Sequence, residues 1–296
     1  AMEQADKSLV PVQHHHAHIV SCMAENGLDG DVIGLAFDGT GYGPDGGIWG
    51  GEVLIASHAN FIRPAHLAYV PMPGGEAVIR EPWRMGLSYL IAAFGDEVEN
   101  LDIPLIEVME TGKVRIIRDM IAKGINAPLT SSLGRLFDGV AAISGVRQHT
   151  SFEGQAAMAL EGIAADHTNY LKASRLYDYE LLSREVCEIS VASIITGIVR
   201  DLQDGASASD ISTRFHLTLL QLFSELCDLI RYETGLNRVV LSGGAFQNAI
   251  LLRGLMEGLQ RKGFRVYTHR CLPPNDGGIA LGQALAAAAM TGNTQS

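Results

Sequence analysis

Arg238-Val-Val-Leu-Ser-Gly-Gly-Ala-Phe-Gln-Asn248 runs from an apolar segment of strand length through a glycine pair into the opening of a helix. Open α/β sheets hold phosphates at turns of this kind, at the carboxyl ends of their strands. The glycines permit close backbone approach, and free N–H groups at the helix start can face an anion. A tight turn with no ligand is the other reading of the same residues. Towards the C-terminus the spacing predicts a helix over Ala245 to Lys262, a strand over Phe264 to Thr268 and a helix over Gly278 to Met290. That alternation is a β-α-β-α unit, which favours parallel pairing with a right-handed crossover.

Towards the N-terminus, apolar residues recur at three- and four-residue spacing. They predict helices over Pro82 to Phe94, Leu105 to Lys123, Leu133 to Ile143, Glu153 to Ala165 and Ile211 to Thr234. The polar, aromatic stretch from Asp166 to Ser190 reads as small strands or a surface loop. Further back, Asp31 to Phe37 and Trp49 to Ser57 read as two strands of a hairpin. The first of these stops at Asp38-Gly39-Thr40-Gly41, a second glycine-rich loop. An acidic residue there suits a metal or an oriented water better than direct phosphate contact. Neither loop has the P-loop pattern, and no G-x-G-x-x-G follows a strand.

Before these strands comes a helix over Gln13 to Glu25 that carries Val12-Gln-His-His-His-Ala-His18. Four of the ten histidines fall within five positions here. On a helix His14 and His18 share one face one turn apart, so both imidazoles can reach one divalent metal. An affinity-tag remnant and an ordinary polar helix face are the alternatives. The flanking Val-Pro-Val-Gln and Ile-Val-Ser-Cys argue against a tag. An acidic partner must come from elsewhere. Asp276, in Pro273-Pro-Asn-Asp-Gly-Gly278, is a helix N-cap unless the fold carries that turn to the histidines. Asp138, in Gly134-Arg-Leu-Phe-Asp138, suits either the helix dipole or ribose hydroxyls.

The 296 residues carry 22 Lys and Arg against 33 Asp and Glu, a net charge of −11. This excludes a phosphate-backbone surface, which needs clustered cations, so no nucleic-acid partner is expected. The four cysteines, Cys22, Cys187, Cys227 and Cys271, form no C-x-x-C pair. They read as buried small hydrophobes in a reduced, cytoplasmic chain. The longest apolar run, Ala280 to Met290, is too short to span a bilayer, so no membrane partner is expected.

Taken in order, His-x-x-x-His, Asp-Gly-Thr-Gly, Gly-x-x-Phe-Asp, Ser-Gly-Gly-x-x-x-Asn and Asn-Asp-Gly-Gly resemble the C-terminal carbamoyltransferase module of HypF, the [NiFe]-hydrogenase maturation family. Arg80-Glu-Pro-Trp-Arg84 and Pro273-Pro-Asn-Asp-Gly-Gly-Ile-Ala-Leu-Gly282 strengthen the likeness, which covers nearly the whole chain. The TsaD family of tRNA-modifying transferases is more distantly similar. The resemblance implies an α/β fold of the actin-like, Hsp70-like ATPase class, with two lobes on ribonuclease-H-like sheets and the nucleotide between them. It implies one module over residues 1–296, with the His-motif helix at 13–25 and the nucleotide-binding lobe from about 31 to 296.

The resemblance further implies His14, His18 and Asp276 as ligands of a zinc or iron ion, with Asp38 close to it. Gly39, Thr40, Gly134, Asp138, Gly243, Gly244 and Asn248 become the nucleotide-binding set. TsaD reads Asp-Asn where this chain reads Asn275-Asp276, which leaves the aligned ligand open. The family also has a lobe of strands before the His motif, whereas thirteen residues precede His14 here. A fragment lacking part of the first lobe, and the other HypF modules, is therefore expected.

The implied reaction passes a carbamoyl group from carbamoyl-adenylate, made from ATP, to the C-terminal cysteine of a HypE-like partner, releasing AMP. Asp38 is the catalytic carboxylate of this scheme, and His15 or His16 the general base. The alternatives are an ATP-dependent kinase or tRNA threonylcarbamoyl transferase of the same fold, or a non-catalytic partner-docking fragment.

Overall fold

A computed structural model describes residues 9–164, 175–182 and 185–292. The chain enters through α1 (His14–Glu25), capped by Gln13, whose side chain accepts the His16 N–H. β1 (Val32–Tyr42), β2 (Ile48–Ala56) and β3 (Phe61–Leu67) follow as an antiparallel meander. Short β4 (Val70–Pro71) leads to α2 (Ala77–Arg80), α3 (Trp83–Phe94), α4 (Pro104–Glu107) and α5 (Thr111–Lys123). β5 (Leu129–Thr130) then delivers the chain to α6 (Leu133–Ile143) and α7 (Gln155–Gly162). β6 (Glu180–Leu182) and β7 (Cys187–Ser190) form an edge hairpin before α8 (Ala192–Gln203) and α9 (Ala208–Thr234). The last stretch is β8 (Arg238–Ser242), α10 (Ala249–Arg261), β9 (Arg265–Tyr267) and α11 (Ile279–Gly292).

Among the described residues the strands make one sheet, ordered β6-β7-β3-β2-β1-β8-β9, with β8 and β9 parallel to β1. An antiparallel meander with two parallel strands beside its first member is the ribonuclease-H-like arrangement, seen here once where the resemblance implies two. The central strands are buried on both faces. Ile33, Leu35 and Phe37 of β1 join the large core with Val53, Val239 and Leu241. Val32 and Ala36 alternate to the other side and meet Leu54, Val240 and the Ile19, Cys22 and Met23 face of α1. This two-sided burial is why the strands read as continuous apolar runs. α11 crosses α1 so closely that a Cβ on Gly282 would lie 1.8 Å from Ala17 O.

Several expectations need correction. The helix expected over Leu105 to Lys123 is two, α4 and α5, interrupted between Glu107 and Thr111. The helix expected from Ala245 begins at Ala249, because a tight turn over Gly244–Gln247 intervenes and Asn248 caps the helix. β1 does not stop at Phe37 but continues to Tyr42 past a register break. β3 and α8 were not foreseen at all. Of the stretch from Asp166 to Ser190, 180–182 and 187–190 are strands, while residues 166–174 and 183–184 lie outside the described ones.

Candidate metal and nucleotide site

The break in β1 makes the site. Pairing with β2 is regular to Phe37↔Gly51 and resumes at Gly41↔Trp49, so Asp38, Gly39 and Thr40 leave the ladder. Bulges of this kind re-aim side chains beside functional sites. Ser132, the cap of α6, fixes the bulge by hydrogen bonding to the Asp38 and Gly39 carbonyls at 2.9 and 2.6 Å. Asp38 is thereby turned towards α1, where His14 and His18 project from one face.

Four side chains converge there. His14 Nε2 lies 3.2 Å from His18 Nε2, 3.0 Å from Asp38 Oδ2 and 3.4 Å from Asp276 Oδ1. His18 Nε2 lies 3.1 and 3.3 Å from the same two oxygens. Ligand–zinc bonds of about 2.0–2.1 Å give a tetrahedron with edges of roughly 3.3 Å; the five separations that involve a histidine match it, and all four donor atoms lie within 4.8 Å of one another. Asp276 arrives on the tight turn Asp276–Gly278, and it is Asn275, not Asp276, that caps this turn by accepting the Gly277 N–H. Ser21 ties the same turn to α1 through the Gly278 carbonyl at 2.7 Å.

The electrostatics match the geometry. Burial alone would raise the Asp38 carboxyl, but the hydrogen bonds from His14 and His18 outweigh it and hold Asp38 far below the ordinary range. Burial alone would lower His18, but hydrogen bonds and charge from Asp276 and Asp38 raise it to about 9. A proton therefore stands in for positive charge that this cluster is built to accept.

Asp38 and Asp276 of this cluster also line a cleft of about 540 Å³. Its walls include Asp38, Gly39, Thr40, Gly134, Asp138, Gly244, Asn248 and Asp276. They also include Arg135, Glu153 and Glu161, which the sequence reading passed over. Arg135, almost fully buried, lies 3.2 Å from both Asp138 and Glu153. Its position three residues before Asp138 on a helix was the available signal. Burial raises the Asp138 carboxyl. Among the residues lining the cleft, Arg135 is the one cation facing the carboxylates of Asp38, Asp138, Glu153, Glu161 and Asp276.

Other named residues sit elsewhere. Gly243 lies behind the wall, with φ +108° and its N–H given to Pro274 O; a Cβ there would meet Phe37 O at 2.2 Å. The start of α10 does not present the free donors expected of it. The Ala249 N–H goes to Glu161 and the Leu251 N–H to Asn248 Oδ1, while Asn248 Nδ2 donates to His216. His15 is fully buried against Trp49, and burial with His14 alongside lowers it to about 3. His16 donates to Ser57 O at 2.7 Å and packs on Phe61. Neither ring is among the cleft-lining residues. Cys22 and Cys227 are buried, Cys187 is half-buried and Cys271 is exposed, contrary to the burial expected of all four.

The sequence matches the family described as carbamoyltransferase, Kae1-like domain, second subdomain, over residues 34–283, and the HypF Kae1-like domain over residues 1–25. The chain belongs to the HypF family. It is 38% identical to carbamoyltransferase HypF2 of Cupriavidus necator over 93% of this chain and 36% of that protein. It is 36% identical to a carbamoyltransferase HypF homolog of the same species, over 94% of this chain and 71% of that protein. A crystal structure of full-length HypF in the phosphate- and nucleotide-bound form aligns with a TM-score of 0.90 and 44% identity, over 97% of this chain and 37% of that one. The chain thus spans little more than a third of full-length HypF proteins. Among the described residues no helix is long and apolar enough to cross a membrane.

Proposed function

We propose that this chain is the carbamoyl-transferring part of a HypF protein. It would bind carbamoyl-adenylate in the cleft and pass the carbamoyl group to the C-terminal cysteine of a HypE-like partner. The thiolate sulfur bonds to the carbamoyl carbon, the bond from that carbon to the phosphate oxygen breaks, and AMP leaves with the electron pair. The observation that carries this reading is the convergence of His14, His18, Asp38 and Asp276 beside a nucleotide-sized, acidic cleft that Asp38 and Asp276 line. A relative solved with phosphate and nucleotide bound supports the choice of ligand.

A divalent zinc or iron ion, which this donor set suits equally, would be held by those four residues and supply Lewis-acid charge beside the phosphate. Asp38, kept ionised, would fix the end of the cleft where the leaving group sits. Gly39 and Gly134 pack backbone to backbone, a Cβ on Gly134 lying 2.9 Å from Gly39 Cα, and both line the cleft where the phosphate would lie. Arg135 would hold Asp138 and Glu153 in place for the ribose side, and Gly244 and Asn248 would form the opposing wall. No base within the chain is assigned, because His15 and His16, the residues expected in that role, do not line the cleft.

The test is carbamoyl-adenylate-dependent carbamoylation of a HypE-like C-terminal peptide, followed by mass. The His14→Ala/His18→Ala variant should lose roughly 100-fold or more in rate. Unchanged rate in that variant would end the proposal.

A further inference from the structure

Outside the donor cluster, a second chain of polar side chains joins the same three parts of the fold. His269, in the turn after β9, places Nε2 2.8 Å from Ser242 Oγ and Nδ1 3.0 Å from Glu25 Oε2. Glu25 is the last residue of α1, and Ser242 is the last residue of β8, just before the Gly243-Gly244 loop. With a carboxylate at Nδ1, the imidazole carries its hydrogen there and accepts the Ser242 hydroxyl at Nε2. The other Glu25 oxygen accepts the backbone N–H groups of Arg270, at 2.6 Å, and Cys271. One carboxylate therefore receives three hydrogen bonds from the segment that leads to Asp276.

Serine, histidine and carboxylate in this order form the geometry of a hydrolase nucleophile. Ser242 is 0% exposed and is absent from the residues lining the cleft, so no substrate reaches its hydroxyl. The His269 side chain is 4% and that of Glu25 10% exposed, so the network is enclosed. What it does touch is informative. The Asp276 side chain is 71% exposed, yet it meets His14 and His18 on α1, and Ser21 of that helix also bonds the turn through the Gly278 carbonyl. Pro274, two residues before that turn, accepts the Gly243 N–H.

We propose that Glu25, His269 and Ser242 are a positioning relay that holds the Asp276 turn and the Gly243-Gly244 loop in register with the histidines of α1. The inference rests on the metal reading above and goes beyond it, by assigning three residues outside the cleft to the assembly of both half-sites. Relay and metal ligands share α1, so a break in the relay loosens the donor set without removing any donor.

The test measures Co²⁺ affinity and the d–d absorption band of the whole chain, with thermal midpoints alongside. Glu25→Gln puts an amide N–H against the His269 Nδ1–H, and His269→Gln retains one of the ring's two bonds. Outer positioning groups of metal sites typically control about 10- to 100-fold of affinity. Glu25→Gln should weaken Co²⁺ binding at least about tenfold and alter the band, with His269→Gln intermediate. Leu259→Ala, a core change in α10, should lower the thermal midpoint with Co²⁺ affinity unchanged. If Glu25→Gln and His269→Gln bind Co²⁺ as the unaltered chain does, the relay is overturned while the metal reading stands. If the unaltered chain binds no Co²⁺, the metal reading falls and the relay with it.

Discussion

His18 shows how single residues set this site. Its imidazole is 1% exposed, a setting that penalises a charged ring, yet Asp276 and Asp38 raise it to about 9. A folded-state pKa above the ordinary 6.5 stabilises the metal-free fold fully below pH 6.5. That contribution is lost as pH rises through about 9. Metal must displace the same proton. The thermal midpoint of the metal-free chain should therefore fall between pH 6.5 and 9 while Zn²⁺ affinity rises over the same interval. Paired calorimetric scans and titrations check both directions, and a flat midpoint would remove His18 from the cluster. At this scale the sequence was partly legible. The spacing of His14 and His18 was visible at once, and Asp276 lay beside an Asn that the alignment alone could not separate from it. Glu161 gave no local signal, because its role depends on contacts with α10 that lie 88 positions away.

At the scale of elements, the bulge in β1 does most to organise chemistry. Gly41, where pairing with β2 resumes, lies against the His helix: a Cβ there would fall 2.4 Å from His15 Cε1 and 2.7 Å from His14 Cδ2. Gly41→Ala should push His14 off its three partners and weaken Zn²⁺ binding by about 10- to 100-fold, read by competition with a chromogenic chelator. Unchanged affinity would mean that His14 is not held where the structure places it. The bulge was half readable, since Asp-Gly-Thr-Gly marks a turn but does not say that the strand continues. β3 was hidden by Pro64. The prolyl ring is tolerated because Arg63 and Pro64 together oppose a single β2 residue, Leu54, where the pairing register shifts. α8 was hidden by composition. Its Ile, Thr and Val favour strand, but Ile194, Ile195, Ile198 and Val199 are buried at helical spacing, and packing overrides propensity.

At the scale of the molecule, part of the negative charge first read from composition lines the cleft where a nucleotide would sit. Five carboxylates line the cleft against Arg135, and Arg135 is already shared between Asp138 and Glu153. The start of α10 offers little to offset this, because its N–H donors at Ala249 and Leu251 are occupied. On the proposed reading, a phosphate in this cleft would be held by a cation on His14, His18, Asp38 and Asp276. The order of motifs along the chain made the family legible, since each lies at a strand end, a bulge or a helix start that the fold gathers into one cleft. The acidic lining of the cleft was not legible, because it is assembled from carboxylates separated along the chain. Isothermal titration of AMP into the chain, stripped of metal and then supplied with one equivalent of Zn²⁺ or Fe²⁺, tests this most directly. Binding should be absent from the stripped chain and restored by the ion, whereas equal affinity with and without metal would contradict the account.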